Sequence, residues 1–521
     1  MGERARLGFW REGEDFDNSC VYVRDLCHTP AMTTAARNDS ETSSRWEIET
    51  TGIEVIPDSD RTAKPSDLFW PWFAANVSVF GISYAGFTLA FGISFWQATV
   101  VAAIGITLSF LLCGLVAVGG KRGSAPTMVL SRAAFGVTGQ KVPGVVSWLA
   151  SIGWETFLAI MATLATATVF RELGLGGGTI TKVIACVVVA TMIVLASIAG
   201  YHLIIKMQSV LTWVTGLGTL SYIALTLHHV DWAKVSTMPS GSLQAVVGAL
   251  VMMMTGFGLG WINISADWSR YQSRETPARV IVMWNTLGGA LAPTVLVTYG
   301  LLLAGSDDTL SQRIQGDPVG TLATLLPTWF LVPFAIAAVL ALVSGAVLGI
   351  YSSGLTLLSL GVRIPRPAAA GIDGLILTTG TIWVVFFAGS FLGPFQSFLI
   401  TLGVPLAGWA GIVIADIFAR RAPYDEAALF DPAGRYGAWD WRAIGTLALS
   451  SIIGWGLVIN SFDDASFNNW QGYLLGPLGL GGRDGDWAYA NLGVLFALIL
   501  GFVISWVARR GTIRSQERDL L

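Results

Sequence analysis

The 521-residue sequence is poor in charge. Asp, Glu, Lys and Arg make up 12% of it, about half of the ~25% that is typical of soluble globular proteins. The charges are also segregated, because none occurs between Leu68 and Gly120 and similar gaps recur towards the end. A spanning helix needs about 20 mostly apolar residues. The sequence therefore excludes a typical soluble enzyme and a mainly disordered chain, and it predicts an all-α polytopic membrane protein.

Cysteine, histidine and excess positive charge are scarce as well. The four cysteines, Cys20, Cys27, Cys113 and Cys186, form neither a disulfide framework nor a zinc-binding spacing. The four histidines make no catalytic pattern on any span, which disfavours a membrane-embedded enzyme. The net charge of −3 offers no basic surface for a nucleic acid. We expect no cofactor, no nucleic-acid partner and no secretory signal.

The apolar segments predict about twelve transmembrane helices. They lie at roughly 68–92, 94–119, 143–170, 180–200, 203–227, 243–266, 280–304, 329–360, 371–391, 394–418, 443–462 and 487–508. We number them spans 1 to 12. Residues 1–66 are polar and are expected to form a disordered cytosolic arm. We expect three parts after the arm: a ten-helix core over 67–420, two further spans within 421–510, and a cytosolic tail over 511–521.

The distribution of Lys and Arg predicts the orientation. With the N-terminus inside, the inner loops carry Lys121, Arg122, Arg132, Lys141, Lys206, Arg270, Arg274, Arg279, Arg363, Arg366, Arg420, Arg421, Arg435 and Arg442. The outer loops carry only Arg171, Lys182, Lys234, Arg313 and Arg483. This asymmetry follows the positive-inside rule. We therefore predict a multi-pass protein of the plasma (cell inner) membrane with both termini in the cytoplasm.

Two spans have the composition of interrupted helices. Polar and small residues break the apolar run of span 1 between Asn76 and Ser83, and span 6 carries three alternating glycines within Thr255–Ser265. Broken helices free backbone groups that bind ions and ligands inside a membrane. Because the two spans are five apart, they fit two inverted repeats of five helices that share a central site. Glycines that only allow close helix packing explain the composition equally well.

Span 3 carries an isolated acidic residue. Glu155 is the only charge between Val142 and Phe170, near the middle of the span, where a carboxylate is costly and is functional by default. Ser151 and Trp154 share its helix face. An indole beside a carboxylate suits a flat solute with N–H donors, since the ring stacks and the acid accepts hydrogen bonds. The alternative is a protonated Glu155 that only makes an interhelical hydrogen bond.

Two further groups of polar residues are candidates for ion binding and gating. Span 8 carries several hydroxyls, among them Ser344, which could coordinate Na⁺ together with freed carbonyls of span 1. Small-residue packing is the alternative explanation. Asp267 ends span 6 and could pair with Arg270 three residues later. We expect a gating or structural role for Asp267 and Arg270.

Several segments resemble a known family in order and spacing. They are Asn76 and Phe91–Trp96 around span 1, Met128–Gly136 and Gly139–Pro143 after span 2, Ile152–Trp154 in span 3, and Ala266–Tyr271 at the end of span 6. Together they resemble the class-one nucleobase:cation symporters, particularly the purine–cytosine permease branch. The resemblance implies a leucine-transporter-type fold, with two inverted five-helix repeats plus two C-terminal helices. It also implies import of a planar nitrogen heterocycle with Na⁺ or H⁺.

The resemblance assigns roles to individual positions. Trp154 matches the tryptophan of span 3 that stacks on substrate, and Phe257 or Gly258 falls at the stacking position of span 6. Ser344 falls near the hydroxyl of the sodium site, whose other ligands are carbonyls of span 1. The expected substrate-binding residues are Trp154, Glu155, Phe257, Gly258, Asn76, Ser151 and Gly349. The expected ion-binding residues are Val77, Phe80, Gly81 and Ser344.

One departure from the family pattern leaves the substrate open. Gly345 and Gly349 stand where family members usually have asparagines that bind the polar edge of the substrate. The sequence is therefore compatible with a nucleobase and with an allantoin or hydantoin, a vitamin or an amino acid carried by the same fold. A channel is a further alternative, although channels usually line one pathway with rings of charges or carbonyls.

Overall fold

The structure is a computed structural model that describes residues 49, 51–388, 392–460, 469–518 and 520. These residues form an all-α bundle with one isolated bridge, between Ala63 and Gln272. In the described part of the chain, ten helices are long and apolar enough to cross a membrane, and a bent pair brings the number to eleven. The all-α polytopic membrane fold predicted from the sequence is confirmed.

The helices follow the predicted order of spans. Span 1 is Phe69–Asn76 with Val79–Leu89, and spans 2 to 5 are Phe95–Gly123, Lys141–Glu172, Thr179–Ala199 and Tyr201–Thr226. Span 6 begins with Leu243–Gly256, and spans 7 to 10 are Ala278–Ser306, Leu331–Ser359, Arg366–Phe387 and Leu392–Ala419. Span 12 is Leu492–Glu517.

The predicted eleventh span is the main difference in this part of the fold. Its place is taken by the helix Trp441–Trp455, which has 15 residues, fewer than the ~20 that a straight crossing needs. Its predicted end, at residue 462, lies outside the described residues. The predicted total of about twelve is therefore reached only if this short helix is included.

Span 1 is interrupted, as predicted from its polar residues. Its two halves meet at an angle of 63°. Val77 leaves the helical region of backbone space, and Ser78 is extended. The Ser78 hydroxyl accepts a hydrogen bond from the Phe80 amide at 3.2 Å and so caps the second half. The Asn76 side chain donates to the Trp72 carbonyl at 2.7 Å, which stabilises the end of the first half.

Span 6 is interrupted at Phe257, where the backbone adopts φ −119° and ψ −111°. A side chain at Gly258 would place its Cβ 2.2 Å from the carbonyl carbon of Ser109 in span 2. That close approach pairs the freed backbone, because the Gly258 amide donates to the Ser109 hydroxyl and the Gly258 carbonyl accepts from the Cys113 thiol. Glycine here serves both predicted roles, since it allows the break and the packing.

Ordered structure begins before the predicted end of the arm at residue 66. Ile56 is buried in the core, and the Arg61 guanidinium donates to the Gln272 carbonyl at 3.0 Å. Residues 51–66 thus pack on the helices, because a few apolar and charged side chains find partners that composition alone does not reveal. Residues 1–48 lie outside the described part of the chain, and for them the disordered arm stays a prediction.

A buried ion network joins spans 10 and 12 at the end predicted to face the cytosol. Asp416 accepts hydrogen bonds from Arg420 at 2.6 Å and from Arg509 at 2.9 Å. Arg509 also pairs with Asp440 at 3.0 Å. Span 12 continues to Glu517, whose carboxylate accepts two backbone amides after span 10. These bonds extend the helix beyond the predicted start of the tail.

We expect Gly258→Ala to destabilise the folded protein, because the new methyl group would overlap the backbone of span 2. Overpacking of this kind costs about 1–3 kcal/mol. Gly371→Ala is the matched control, since no atom lies within 4 Å of its Cβ position and Ala is the better helix former. Thermal unfolding of the purified variants in lipid nanodiscs should show a lower midpoint for Gly258→Ala alone. Equal midpoints would contradict this description of the break.

Candidate functional site

A cavity of about 700 Å³ lies between spans 1, 3, 6 and 10. Its volume is within the range of small-molecule sites, which is about 300–1,000 Å³. Its walls include Ser242, Gln315 and Asp486, which belong to the end predicted to face outwards, and it reaches Trp154 in the middle of span 3. The cavity therefore connects the outer side with the level at which spans 1 and 6 are broken.

Aromatic rings form the deep part of the cavity. The Trp154 indole meets the rings of Phe157 and Phe395 edge-on, with centroid distances of 5.8 and 5.6 Å. Phe157 also lies 5.5 Å from Phe80, which in turn lies 5.2 Å from Tyr84. All five rings line the cavity. Such a surface binds a flat apolar face, because aromatic pairs favour stacked or edge-on contact.

The broken part of span 6 supplies polar atoms next to these rings. A Cβ at Gly260 would lie 3.4 Å from the Trp154 indole, so the span 6 backbone runs directly against that ring. The Gly256 carbonyl accepts a hydrogen bond from the Tyr84 hydroxyl at 3.1 Å. Thr255 also lines the cavity. The site thus combines aromatic faces with a hydroxyl group and exposed backbone, as ligand sites typically do.

The two residues predicted to stack from span 6 lie elsewhere. Phe257 is buried with its ring 4.5 Å from that of Tyr84, and Gly258 faces the backbone of span 2. Neither belongs to the described cavity lining. The resemblance pointed to this part of span 6, but the break turns Thr255, Gly256 and Gly260 towards the cavity.

The polar residues predicted to bind substrate also face other helices. Glu155 is directed at Gly349 of span 8, where an added Cβ would lie 2.6 Å from the Glu155 Cγ. Ser151 accepts a hydrogen bond from Asn263 of span 6 at 3.1 Å. Asn76 is buried against its own helix. None of these residues is among the described cavity-lining residues, so Trp154 is the predicted substrate residue that the structure brings to the cavity.

The predicted ion site contains an additional side chain. Ser344 is fully buried, and its hydroxyl donates to the Gln208 side-chain carbonyl at 2.5 Å. The Gln208 amide group in turn donates to the Ser344 carbonyl at 3.1 Å. Span 1 does approach this region, since a Cβ at Gly345 would lie 4.0 Å from the Ala75 carbonyl. A side chain of span 5 therefore already satisfies both polar groups of Ser344.

The span 1 residues of the predicted ion site are dispersed. The Phe80 ring lines the substrate cavity, and Gly81 faces Leu296 of span 7 at 3.4 Å from its Cβ position. Val77 points towards Gly216 of span 5. Ion binding by their carbonyls stays a prediction.

Asp267 and Arg270 do not pair with each other. Asp267 accepts hydrogen bonds from the amide and hydroxyl groups of Thr127, at 2.7 and 2.8 Å, and so joins span 6 to the loop after span 2. Arg270 forms an ion pair with Glu49 at 3.2 Å. Burial alone lowers the pKa of Arg270, but Tyr271 and the nearby acids outweigh it and raise that pKa above its ordinary value. Arg270 therefore stays charged.

Glu49 holds several helices together at the end predicted to face the cytosol. Its carboxylate accepts hydrogen bonds from the Tyr271 hydroxyl and the Tyr201 amide, both at 2.6 Å, and from the Tyr351 hydroxyl at 3.2 Å. Its carbonyl accepts a hydrogen bond from Arg366 at 3.0 Å. One residue from the N-terminal arm thus connects spans 5, 6, 8 and 9 below the cavity, the first three through its side chain and span 9 through its carbonyl.

Several of these residues were absent from the sequence prediction. Phe157 follows Trp154 by three residues on one helix, and that spacing could have identified it. Gln208 and Asn263 are isolated amides in apolar spans, which is a weaker signal. Glu49 offers no signal, because it is one of many acids in a polar segment.

Comparison with known proteins supports this description. Residues 55–476 match the family described as permeases for cytosine/purines, uracil, thiamine and allantoin. The putative purine-cytosine permease YxlA of Bacillus subtilis is 23% identical over 463 residues, covering 88% of this chain and 96% of that protein. The purine-cytosine permease FCY2 of Saccharomyces cerevisiae is 21% identical over 471 residues, covering 87% of this chain and 84% of that protein.

Solved structures show the same fold. One is Mhp1, a nucleobase-cation-symport-1 family transporter in a closed conformation with bromovinylhydantoin bound. It has a TM-score of 0.66 at 18% identity, and the match covers 91% of this chain and 100% of the Mhp1 chain. A Na⁺-coupled sialic acid symporter has a TM-score of 0.57 at 13% identity, over 86% and 91% of the two chains. The predicted leucine-transporter-type fold is thereby confirmed. The chain belongs to the cytosine/purine permease family of class-one nucleobase:cation symporters, and it is a membrane transporter, not an enzyme.

Proposed function

We propose that the protein imports a purine or pyrimidine nucleobase, or a related planar nitrogen heterocycle, by cation symport with alternating access. The observation that carries this proposal is the aromatic cavity, which starts at the outer end and stops at the breaks of spans 1 and 6. The family membership and the names of the relatives support the substrate class. The protein would act in the plasma (cell inner) membrane, with both termini in the cytoplasm and lipid as its surroundings.

The heterocycle stacks on the Trp154 indole within the ring of aromatic residues. Its polar edge meets the Tyr84 hydroxyl, Thr255 and the backbone that lines the cavity at Gly256 and Gly260. This arrangement replaces the asparagines that the family usually places on span 8. A hydroxyl group both donates and accepts hydrogen bonds and can rotate, so the site suits rings that differ in their pattern of donors and acceptors.

Transport requires the inner end to open when the outer end closes. In the mechanism we favour, spans 1, 2, 6 and 7 rock against spans 3, 4, 8 and 9. Two contacts cross between these groups below the cavity. Asn263 donates to Ser147 at 2.8 Å and to Ser151, and Arg270 donates to Tyr351 at 2.9 Å. Opening to the cytosol must break both, so these contacts favour the outward-open state.

A ligand panel tests the substrate class. The purified protein in proteoliposomes should take up at least one compound among adenine, guanine, cytosine, uracil and hydantoin, with saturable kinetics. Thiamine and amino acids in the same panel represent the other carrier functions. Saturable uptake of only a vitamin or an amino acid would contradict the proposed substrate class and indicate that other one. Non-saturating flux would indicate a channel.

We expect Trp154→Ala to weaken binding of the transported heterocycle. Stacking of a base on an aromatic side chain is worth about 1–3 kcal/mol, which corresponds to a roughly 5- to 150-fold higher Kd. Isothermal titration calorimetry of the heterocycle measures this Kd. Trp213→Ala is the matched control, because that indole is on span 5 and 71% exposed on the outside of the bundle. Similar affinities for both variants and the unmodified protein would exclude the stacking role.

We expect Glu49→Gln to shift the protein towards the inward-open state. The substitution leaves the buried Arg270 charge without its counter-ion, and loss of one partner of a buried pair costs about 3–5 kcal/mol. Hydrogen–deuterium exchange should rise at the inner ends of spans 6 and 8. Glu54→Gln is the control, because that exposed acid bonds only within its own segment. Unchanged exchange in Glu49→Gln would show that the arm does not stabilise closure.

A further inference from the structure

A buried carboxyl group lies behind the substrate cavity. Glu155 is 1% exposed, and neither of its oxygens has a hydrogen-bond partner within the described part of the chain. Gly349 makes the space for it, since any Cβ there would lie 2.9 Å from one of the two carboxyl oxygens. An unpaired carboxylate in the membrane interior costs several kcal/mol. Glu155 is therefore held there as the neutral acid.

A second buried acid lies on the next helix. Asp373 of span 9 is fully buried, and its two oxygens accept hydrogen bonds from the Ser353 hydroxyl at 2.7 Å and the Trp148 indole at 3.0 Å. Ser353 lies one helical turn after Gly349 on span 8, and Gly349 is the residue against which Glu155 packs. Two donors satisfy Asp373 as a carboxylate, while Glu155 has none. The pair is thus arranged as a proton donor and a proton acceptor on either side of one hydroxyl.

The two acids lie at different depths. Trp148, which bonds Asp373, precedes Glu155 by seven residues on span 3, and this places it about 10 Å nearer the cytosolic end. Asp373 likewise follows the cytosolic start of span 9 by seven residues. Glu155, Ser353 and Asp373 therefore form a line from the middle of the membrane towards the cytosol.

Few other charges face this line. The helices packed against span 3 are spans 4, 8, 9 and 10 and the short helix Gly320–Ala323. Their charged residues are Lys182, Arg366, Asp373 and Asp416. Asp373 alone among them acts electrostatically on Glu155. The protonation of Glu155 is thus linked to one partner and not to a general charge network.

The predicted sodium position is less suited to an ion. The Gln208 side chain already donates to the Ser344 carbonyl and accepts from the Ser344 hydroxyl. A sodium ion would have to displace it from a fully buried place. A proton needs no cavity, and the tight contact between Glu155 and Gly349 leaves none. The structure therefore favours protonation of a carboxyl group over Na⁺ binding at Ser344.

We propose that Glu155, Ser353 and Asp373 form the proton-binding site that couples transport to the proton gradient. The inference rests on the proposed function and identifies its coupling ion. Glu155 carries one proton in the outward-open state. On inward opening, the Glu155 proton passes to the Ser353 oxygen while the Ser353 hydroxyl proton passes to the Asp373 carboxylate, which releases it to the cytosol. Trp154 and Glu155 are adjacent, so one turn of span 3 serves both the solute and the proton.

Infrared difference spectroscopy tests the proton site without a substrate. The full-length protein in nanodiscs is titrated with acid and base, and the protonated-carboxyl band is recorded. Glu155→Gln should remove a band that is present in the unmodified protein at neutral pH, and Asp373→Asn should shift it. Thr381→Ala is the control, because its hydroxyl bonds only within span 9. A spectrum of Glu155→Gln identical to that of the control would overturn the proposal.

Proteoliposomes loaded with a pH-sensitive dye test the coupling. Adenine, cytosine and hydantoin are added outside together in sodium-free buffer. The unmodified protein should acidify the lumen. Glu155→Gln should reduce this acidification about ten-fold or more, a factor within the usual range of coupling between two ligands. Counterflow exchange of the same labelled compounds should persist in Glu155→Gln, which shows that this variant is folded.

The outcomes separate the two proposals. Two results would refute the proton site but leave heterocycle transport standing. One is full acidification of the lumen by Glu155→Gln. The other is uptake by the unmodified protein that requires Na⁺ and moves no protons. If Glu155→Gln loses counterflow and leaves the carboxyl band unchanged, Glu155 is a packing residue and the proton site is also refuted. If the unmodified protein exchanges none of the compounds, the proposed function fails, and the infrared titration still decides whether Glu155 binds a proton.

Discussion

The fold depends on how the broken backbone of span 6 is satisfied inside a membrane. Unpaired amide and carbonyl groups are not tolerated in hydrocarbon. Gly258 has no side chain, so span 6 approaches span 2 closely enough for Ser109 and Cys113 to bond its backbone. This one contact holds the break in place. It also turns Thr255, Gly256 and Gly260 towards the cavity, so the geometry of the site follows from a packing requirement.

Span 8 shows how a missing polar group changes a site. Gly345 and Gly349 stand where the family usually has asparagines, and neighbouring side chains fill the space that they leave. Glu155 occupies the space beside Gly349, while Leu158 and Trp261 approach Gly345. Glu155 therefore packs in the space that the missing side chain at Gly349 leaves.

The inner end combines charge with burial. Glu49 and Arg270 form a pair that is largely shielded from water, and three tyrosines lie around it. A buried pair is weak evidence for added stability, but removal of one partner is costly because the other charge is left unpaired. Through Tyr351 the pair also joins span 6 to span 8, and these two spans belong to different moving groups in the proposed cycle. In that cycle the contact forms while the inner end is closed, so it favours one of the two states.

The sequence was sufficient to predict the membrane fold, the order of the spans and the two interrupted helices, and it singled out Trp154 as a candidate binding residue. Those features depend on hydropathy, on glycine and polar residues within apolar runs, and on a family pattern, all of which are local along the chain. The tertiary structure decided which face of each helix meets the cavity. Glu155 follows Trp154 directly yet points to spans 8 and 9, because the packing of neighbouring helices sets the rotation of span 3. The roles of Gln208, Glu49 and Asp373 likewise depend on partners distant in sequence, and only folding brings these together.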